Sequence, residues 1–589
     1  MQKPLEGTID GGQPDGDSHP LSMDRSLHAT LARVTGGVSP EAVALAFADW
    51  ALHMALSPDK QIALAERAMH SWMHFLEFCP KALLDPGCEV CIEASAGDKR
   101  FSGPAWKQWP FNALSQAFLL TEHWWQHATT GVHGVSRHHE GVVSFGARQL
   151  LDVVAPSNFL LTNPDVIDTT IRETGMNVVR GLKNFVEDQH RVWVGQRPFG
   201  ADGFVVGKNL AITPGKVVAR NRLMELIQYA PATETVHAEP VLIVPAWIMK
   251  YYILDLSPEN SLVKYLVDKG RTVFMVSWRN PESADRDLDL EDYARLGIDA
   301  ALDAIAAVVP HKRVHAAGYC LGGTLLAMAA ARLARDADDR LASLTLFAAQ
   351  TDFTEAGELM LFIDEAEVSF LEDMMAEKGY LDSSQMAGVF QLLRSNDLIW
   401  SRLIREYLMG ERQPMFDLMA WNADATRMPA RMHSTYLRRL FLNNDLAEGH
   451  FELAGRPISL RDIRVPVFAV STLSDHVAPW RSVYKIQALT DADVTFVLSS
   501  GGHNAGIVNP PGNSKRFHQI AMHKESERYI DPDAWQREAT HHDGSWWPCW
   551  QSWLIRHSGK KMVAPPAMGA PAKGYAPLWD APGEYVLER

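Results

Sequence analysis

Cysteine is scarce in this 589-residue chain: there are five, Cys79, Cys88, Cys91, Cys320 and Cys549. So few, and odd in number, argue against a disulfide framework and fit a reducing compartment. Basic excess is lacking as well. With 56 Lys and Arg against 71 Asp and Glu, the net charge of −15 argues against a nucleic-acid partner, which wants a basic face. No apolar run approaches the ~20 residues that span a bilayer, so no transmembrane segment is expected. The stretch MQKPLEGTIDGGQPDGDSHP lacks the charged start and apolar core of a secretory signal. The chain is therefore expected in the cytoplasm, with residues 1–25 a disordered tail rich in Gly, Pro and Asp. Cys88-Glu-Val-Cys91 is a lone C-x-x-C without a second ligand pair, so it reads as two free thiols and no metal site is expected.

What is present points to more than one domain, since the length exceeds one ordinary core. Residues 26–204 carry a helical pattern and form a helical N-terminal domain. Ser39-Pro40 and Ser57-Pro58 mark helix starts, with serine as N-cap and proline at the first helical position. Val43, Phe47, Trp50 and Met54, then Ile62, Met69 and Trp72, recur at helical spacing. These stripes are expected to pack helix against helix. FNALSQAFLLTEHWWQHA and NVVRGLKNFVEDQHRVW predict two further helices.

From residue 205 the rhythm changes. PVLIVPAWI, RTVFMVSW, RVHAAGY, ASLTLFAA, VPVFAVST and VTFVLSS are short, nearly continuous apolar runs separated by helical segments. Such strands belong to a parallel sheet covered on both faces, so residues 205–589 predict an α/β domain. The long helical interval after LTLFAAQTDF is far more than a crossover needs, and reads as an inserted cap over about 353–445.

Within HAAGYCLGGTLLAMAA, Gly318-Tyr319-Cys320-Leu321-Gly322-Gly323 has the spacing of a nucleophile elbow, with sulfur in place of the usual serine oxygen. That makes the α/β domain an α/β-hydrolase fold. The glycines allow close backbone approach, and the following helix brings its positive dipole end to Cys320. A buried structural cysteine is the bland alternative, which the glycine frame disfavours. Chain order then asks for an acid and a histidine at later strand ends. Asp475 follows VPVFAVST and His503 follows VTFVLSS. Asp352 also ends a strand but an earlier one, and His476 is awkward as a base beside Asp475. The backbone N–H of Leu321 is one expected oxyanion donor, and a second is expected from the turn at Trp247 and Ile248.

Sulfur has a thermodynamic logic. A thiolate that accepts an acyl group from a thioester forms another thioester, so the bound group stays activated for transfer to an alcohol. A serine ester would lose that drive. Water is then the competitor, which explains a large apolar cap.

These motifs resemble the polyhydroxyalkanoate synthases. The resemblance runs from DKRFSGPAWKQWPFNALSQAFLLTEHWW through PAWIMKYYILDLSPENSLVKYLVDKGRTVFMVSWRNP, GYCLGG, SNDLIW, FDLMAWNADATRMP, SDHVAPW, GGHNAGIVNPPGNSK and GSWWPCW to APGEYVLER. It places the family nucleophile on Cys320, its aspartate on Asp475 and its histidine on His503. It implies polymerisation of (R)-3-hydroxyacyl-coenzyme A, short-chain by length and N-terminal block, through a cysteine acyl-enzyme. The histidine would deprotonate the thiol, and the aspartate would help activate the incoming 3-hydroxyl. No cofactor is implied, since coenzyme A leaves with each substrate. The resemblance also implies a homodimer that works at polyester granules with granule-associated proteins, and gives Asp255 a supporting role. A cysteine-dependent esterase, thioesterase or depolymerase, and a non-catalytic granule scaffold, are the alternatives weighed.

Overall fold

In the computed structural model, residues 23–589 are described except 96, 384, 387 and 389–394. The tail expected over 1–25 falls outside the described residues as far as 22. From Met23 the chain is helical, so the last three residues expected there belong to a helix instead.

Seven helices come first: α1 Met23–Thr35, α2 Pro40–Ala55, α3 Pro58–Leu84, α4 Phe111–Thr129, α5 Arg137–Val153, α6 Pro164–Arg172 and α7 Met176–Trp193. Ser39 caps α2 as expected, its Oγ accepting from the Ala42 N–H at 3.3 Å. Ser57 begins α3 without capping it; its hydroxyl donates back to the His53 carbonyl at 2.7 Å.

The expected inward stripes hold only in part: Trp50 and Met54 are half-buried, with Trp50 Nε1 donating to the Ala128 carbonyl at 3.0 Å. Val43, Phe47, Met69 and Trp72 are 47–61% exposed. Small or differently spaced residues make the contacts instead: Ala46 on α2, and Leu64, Phe78 and Ala82 on α3 are buried. On α3 the stripe of Ile62, Met69 and Trp72 turns away from the side that Leu64, Phe78 and Ala82 bury.

The sheet has eleven strands. They are β1 Gly215–Arg220, β2 Met224–Tyr229, β3 Val241–Val244, β4 Val273–Trp278, β5 Val314–Tyr319, β6 Leu341–Phe347, β7 Val467–Thr472, β8 Val494–Ser499, β9 Phe517–His523, β10 Thr540–Asp543 and β11 Trp579–Asp580. The spatial order is β10-β9-β8-β7-β6-β5-β3-β4-β2-β1-β11. Strands β3 to β8 are parallel, and they are the six apolar runs read from the sequence. The flanking pairs are antiparallel. Helix α8, Leu321–Arg335, packs on one face with nearly all of its residues buried. On the other face lies α10, Trp547–Arg556, whose Trp550 and neighbouring Trp546 meet the Phe347 ring at 5.0 and 5.1 Å. The tryptophans of GSWWPCW are therefore cover for the sheet.

Among the described residues, the chain between β6 and β7 is mainly helical and includes α9, Glu365–Lys378. The N-terminal helices grip this segment. His28 of α1 bonds Asp373 of α9 at 2.7 Å, and the Ser39 N–H donates to Glu367 at 2.6 Å. On α7, Gly181 lies so close to Tyr407 that an added Cβ would stand 1.8 Å from its carbonyl oxygen. Nearby, buried Asp188 gathers Arg402, Arg412 and the Tyr407 hydroxyl at 2.7–2.9 Å.

Candidate active site

Cys320 stands between β5 and α8 with φ 52° and ψ −126°, a conformation that non-glycine residues avoid. Holding one there costs on the order of 1–3 kcal/mol, which the surrounding packing must supply. The neighbouring glycines show how. A Cβ on Gly322 would lie 2.3 Å from the Val244 carbonyl oxygen, and one on Gly318 2.4 Å from Gly323 Cα. The Cys320 N–H donates to the Phe347 carbonyl at 2.9 Å, tying the turn to the end of β6.

Asp475 and His503 arrive on the loops after β7 and β8 and meet: Nδ1 of His503 is 2.8 Å from Asp475 Oδ2. Both residues are buried. The rest of the carboxylate is also occupied, with Oδ1 accepting from the Val477 and Ala478 N–H groups and Oδ2 facing Thr472 Oγ1 at 3.2 Å. Burial raises the Asp475 carboxyl, but the facing imidazole and the donated hydrogen bonds outweigh it and hold it below the usual range. Burial likewise disfavours the imidazolium of His503. The charges of Asp475 and Cys320, with hydrogen bonds to both, win and hold it well above an ordinary histidine. Since Nδ1 is taken by Asp475, Nε2 is the nitrogen left for the Cys320 sulfur.

The competitors are engaged elsewhere. Asp352 accepts from Thr354 and from Lys485 at 3.2 Å. Asp255 is buried and accepts from Thr213 Oγ1 and Ser261 Oγ at 2.5 and 2.6 Å, a structural cluster. His503, not His476, is the imidazole paired with Asp475.

Leu321 is the first helical residue after Cys320, so its N–H is one of the orphan donors of a helix start. Ile248 lines the same cavity as Cys320 and Leu321. The Trp247 side chain packs against Tyr293 at 5.2 Å, beside the turn that carries Ile248. The cavity, of roughly 130 Å³ and partly open to solvent, runs from Cys320, past Phe353, to Leu371 of α9 and Gly37 of the α1–α2 turn. Its wall is mostly apolar and comes largely from the segment between β6 and β7. Among the described residues no cluster of His, Cys, Asp or Glu could hold a metal ion.

Comparison with known proteins bears on what such a site serves. Residues 19–60 and 97–266 match family models described as the poly-beta-hydroxybutyrate polymerase N terminal and N-terminus, and residues 239–510 match the alpha/beta hydrolase fold. A poly(3-hydroxyalkanoate) polymerase of Methylorubrum extorquens is 43% identical over 85% of this chain and 82% of its own length. This chain belongs to the poly(3-hydroxyalkanoate) polymerase family. Polymerase subunits of Rhizobium meliloti and Cupriavidus necator are 41% and 36% identical over 84% and 83% of the chain, covering 80% and 83% of their own lengths.

Several residues of this polymerase-family site carry no signal in the sequence. The Tyr319 hydroxyl donates to Asn504 Oδ1 at 2.5 Å, and its ring lies 5.5 Å from that of His503, bracing the histidine loop. Tyr319 occupies the variable position of the elbow, so only the fold reveals it. Glu367 is another. It lines the cavity, is 4% exposed, and burial pushes its carboxyl up to about 7. A folded value above the ordinary 4.5 means that the native state holds a proton the unfolded chain has lost. Stability is therefore full below about pH 4.5 and falls as pH rises through 7, by about 3 kcal/mol at most. Glu367→Gln keeps an acceptor for the Ser39 N–H and removes the titration. Thermal melts of the variant and wild type are expected to coincide near pH 4.5 and to separate toward pH 8, with the variant higher. Parallel curves across that range would refute the assignment.

Proposed function

We propose that this chain polymerises (R)-3-hydroxyacyl-coenzyme A, with 3-hydroxybutyryl-coenzyme A as the preferred short-chain substrate, by a Cys320 acyl-enzyme. The observation that carries this reading is the buried Asp475–His503 pair beside a cysteine in a strained elbow, under an apolar cavity. His503 Nε2 takes the Cys320 proton, and the sulfur attacks the thioester carbonyl. As the tetrahedral intermediate collapses, the bond to coenzyme A breaks and its thiol leaves with the proton from His503. The 3-hydroxyl of a second acyl unit then gives its proton to His503 and attacks the Cys320 thioester. An ester bond forms and the cysteine sulfur is released. The N–H groups of Leu321 and Ile248 hold the developing oxyanion in both steps.

Asp475 acts through His503, because both of its oxygens are already engaged. No cofactor is required; coenzyme A is a product. The cavity wall keeps water from the acyl-enzyme, which favours an alcohol acceptor over hydrolysis. The exposed apolar residues of α2, α3 and α7, among them Phe47, Trp72 and Trp193, support association with the surface of cytoplasmic polyester granules or their coat proteins. Family membership supports a homodimer.

The test supplies purified protein with 3-hydroxyacyl-coenzyme A thioesters of increasing length, following thiol release and precipitate together. Thiol release matched by insoluble polyester, fastest for the four-carbon substrate, is expected. Thiol release with free hydroxy acid alone would show a hydrolase. Neither product would leave a scaffold.

A further inference from the structure

The turn that carries the second oxyanion donor is held by a distant part of the chain. Thr426, only 2% exposed, donates its Oγ1–H to the Trp247 carbonyl at 2.6 Å. Its own N–H donates to the Ile248 carbonyl at 3.1 Å. Ala425 pairs with Met249 in an antiparallel bridge, and Trp421 Nε1 donates to the Lys250 carbonyl at 2.7 Å. Residues 421–426 thus grip the carbonyls of residues 247, 248 and 250.

From this geometry we infer that Thr426 is a positioning residue for acyl transfer, setting the Ile248 N–H through the carbonyl of Trp247. The inference rests on the oxyanion role given to Ile248 above. The Trp247 carbonyl and the Ile248 N–H are opposite ends of one trans peptide plane, which rotates as a unit. Fixing the oxygen at 2.6 Å therefore fixes the direction of the N–H. Among the described residues that N–H has no backbone acceptor, which leaves it free for an oxyanion. A hydrogen bond accepted at the carbonyl also polarises the plane and strengthens the donor at its other end. Without the hydroxyl, the peptide can rock, and an oxyanion donor that must be sought during the reaction loses its advantage. The cap segment therefore completes the catalytic apparatus as well as covering it.

Thr426→Val keeps the shape and removes the hydroxyl, while Thr426→Ser restores it. Each variant is assayed on 3-hydroxybutyryl-coenzyme A for kcat and KM, and on iodoacetamide for alkylation of Cys320. Alkylation forms a carbon–sulfur bond without an oxyanion, so it reads thiol, histidine and access but not the donor. Expected for valine is a kcat about 10- to 100-fold lower, with KM and alkylation rate within twofold of wild type. Serine is expected to recover kcat to within threefold. Loss of alkylation in step with kcat, an unchanged kcat in valine, or a serine variant as poor as valine overturns the inference. If valine prevents folding, the serine result alongside Thr426→Ala decides by the same criteria. Failure of the reaction assigned to the site would show differently, as thioester turnover surviving the loss of Cys320.

Discussion

Replacing Cys320 by alanine is expected to abolish release of coenzyme A from 3-hydroxybutyryl-coenzyme A, to the level of the uncatalysed background. The fold should survive, because alanine removes only a sulfur that faces the cavity, and circular dichroism and thermal melting should stay near wild type. Serine is the sharper test. Its oxygen fits the same elbow beside the same imidazole, so a pure proton-transfer account would allow substantial activity. The thioester argument does not. An acyl-serine is an oxygen ester, and passing its acyl group to another hydroxyl is close to isoenergetic. Cys320→Ser should therefore accumulate at most a trace of polymer. Polymer formed at rates near wild type by either variant would remove the covalent mechanism.

The second large effect is expected at His503. Glutamine at this position keeps polar contacts but can neither accept a proton from sulfur nor return it to the leaving thiol. A positioned general base is worth about 10²–10⁴ in rate, and kcat should fall by that order with KM little changed. The pH profile sharpens the prediction. Burial disfavours the His503 imidazolium, but the charges of Asp475 and Cys320 hold it above an ordinary histidine. Its contribution to stability is full below the unfolded value of about 6.5 and is lost as pH rises through the folded one. Asp475, held low, adds stability that is lost as pH falls through its own depressed value. Wild type minus His503→Gln stability should therefore be largest in the acid-to-neutral range and shrink toward alkaline pH. A difference that grew with pH would contradict the pairing.

The six parallel strands could be read from sequence because a strand buried on both faces has an apolar residue at almost every position. The elbow could be read because its glycines answer a steric demand that is local to a few residues. Elsewhere the chain was opaque for physical reasons. Strands β9 and β10, FHQIAMH and THHD, lie toward an edge and carry histidines, so their periodicity is weak. The stripes on α2 and α3 looked like core because periodicity reveals that a face is apolar, not what it meets. On α3 the buried positions are Leu64, Phe78 and Ala82 instead. The bracing of the 247–250 turn by Trp421 and Thr426 joins residues far apart in the chain, and no local pattern announces such a contact.

That turn has a third support. Lys250 is buried and its ammonium donates to the carbonyls of Tyr585 and Glu588 at 3.2 and 2.6 Å. The supports are therefore translated long after the turn itself. A chain delivered only as far as residue 347 has β1 to β6, the elbow and the Tyr293 and Trp278 contacts to residues 245–247, but lacks Trp421, Thr426, Tyr585 and Glu588. The donor turn is therefore fully braced only once segments 421–426 and 585–588 have joined it.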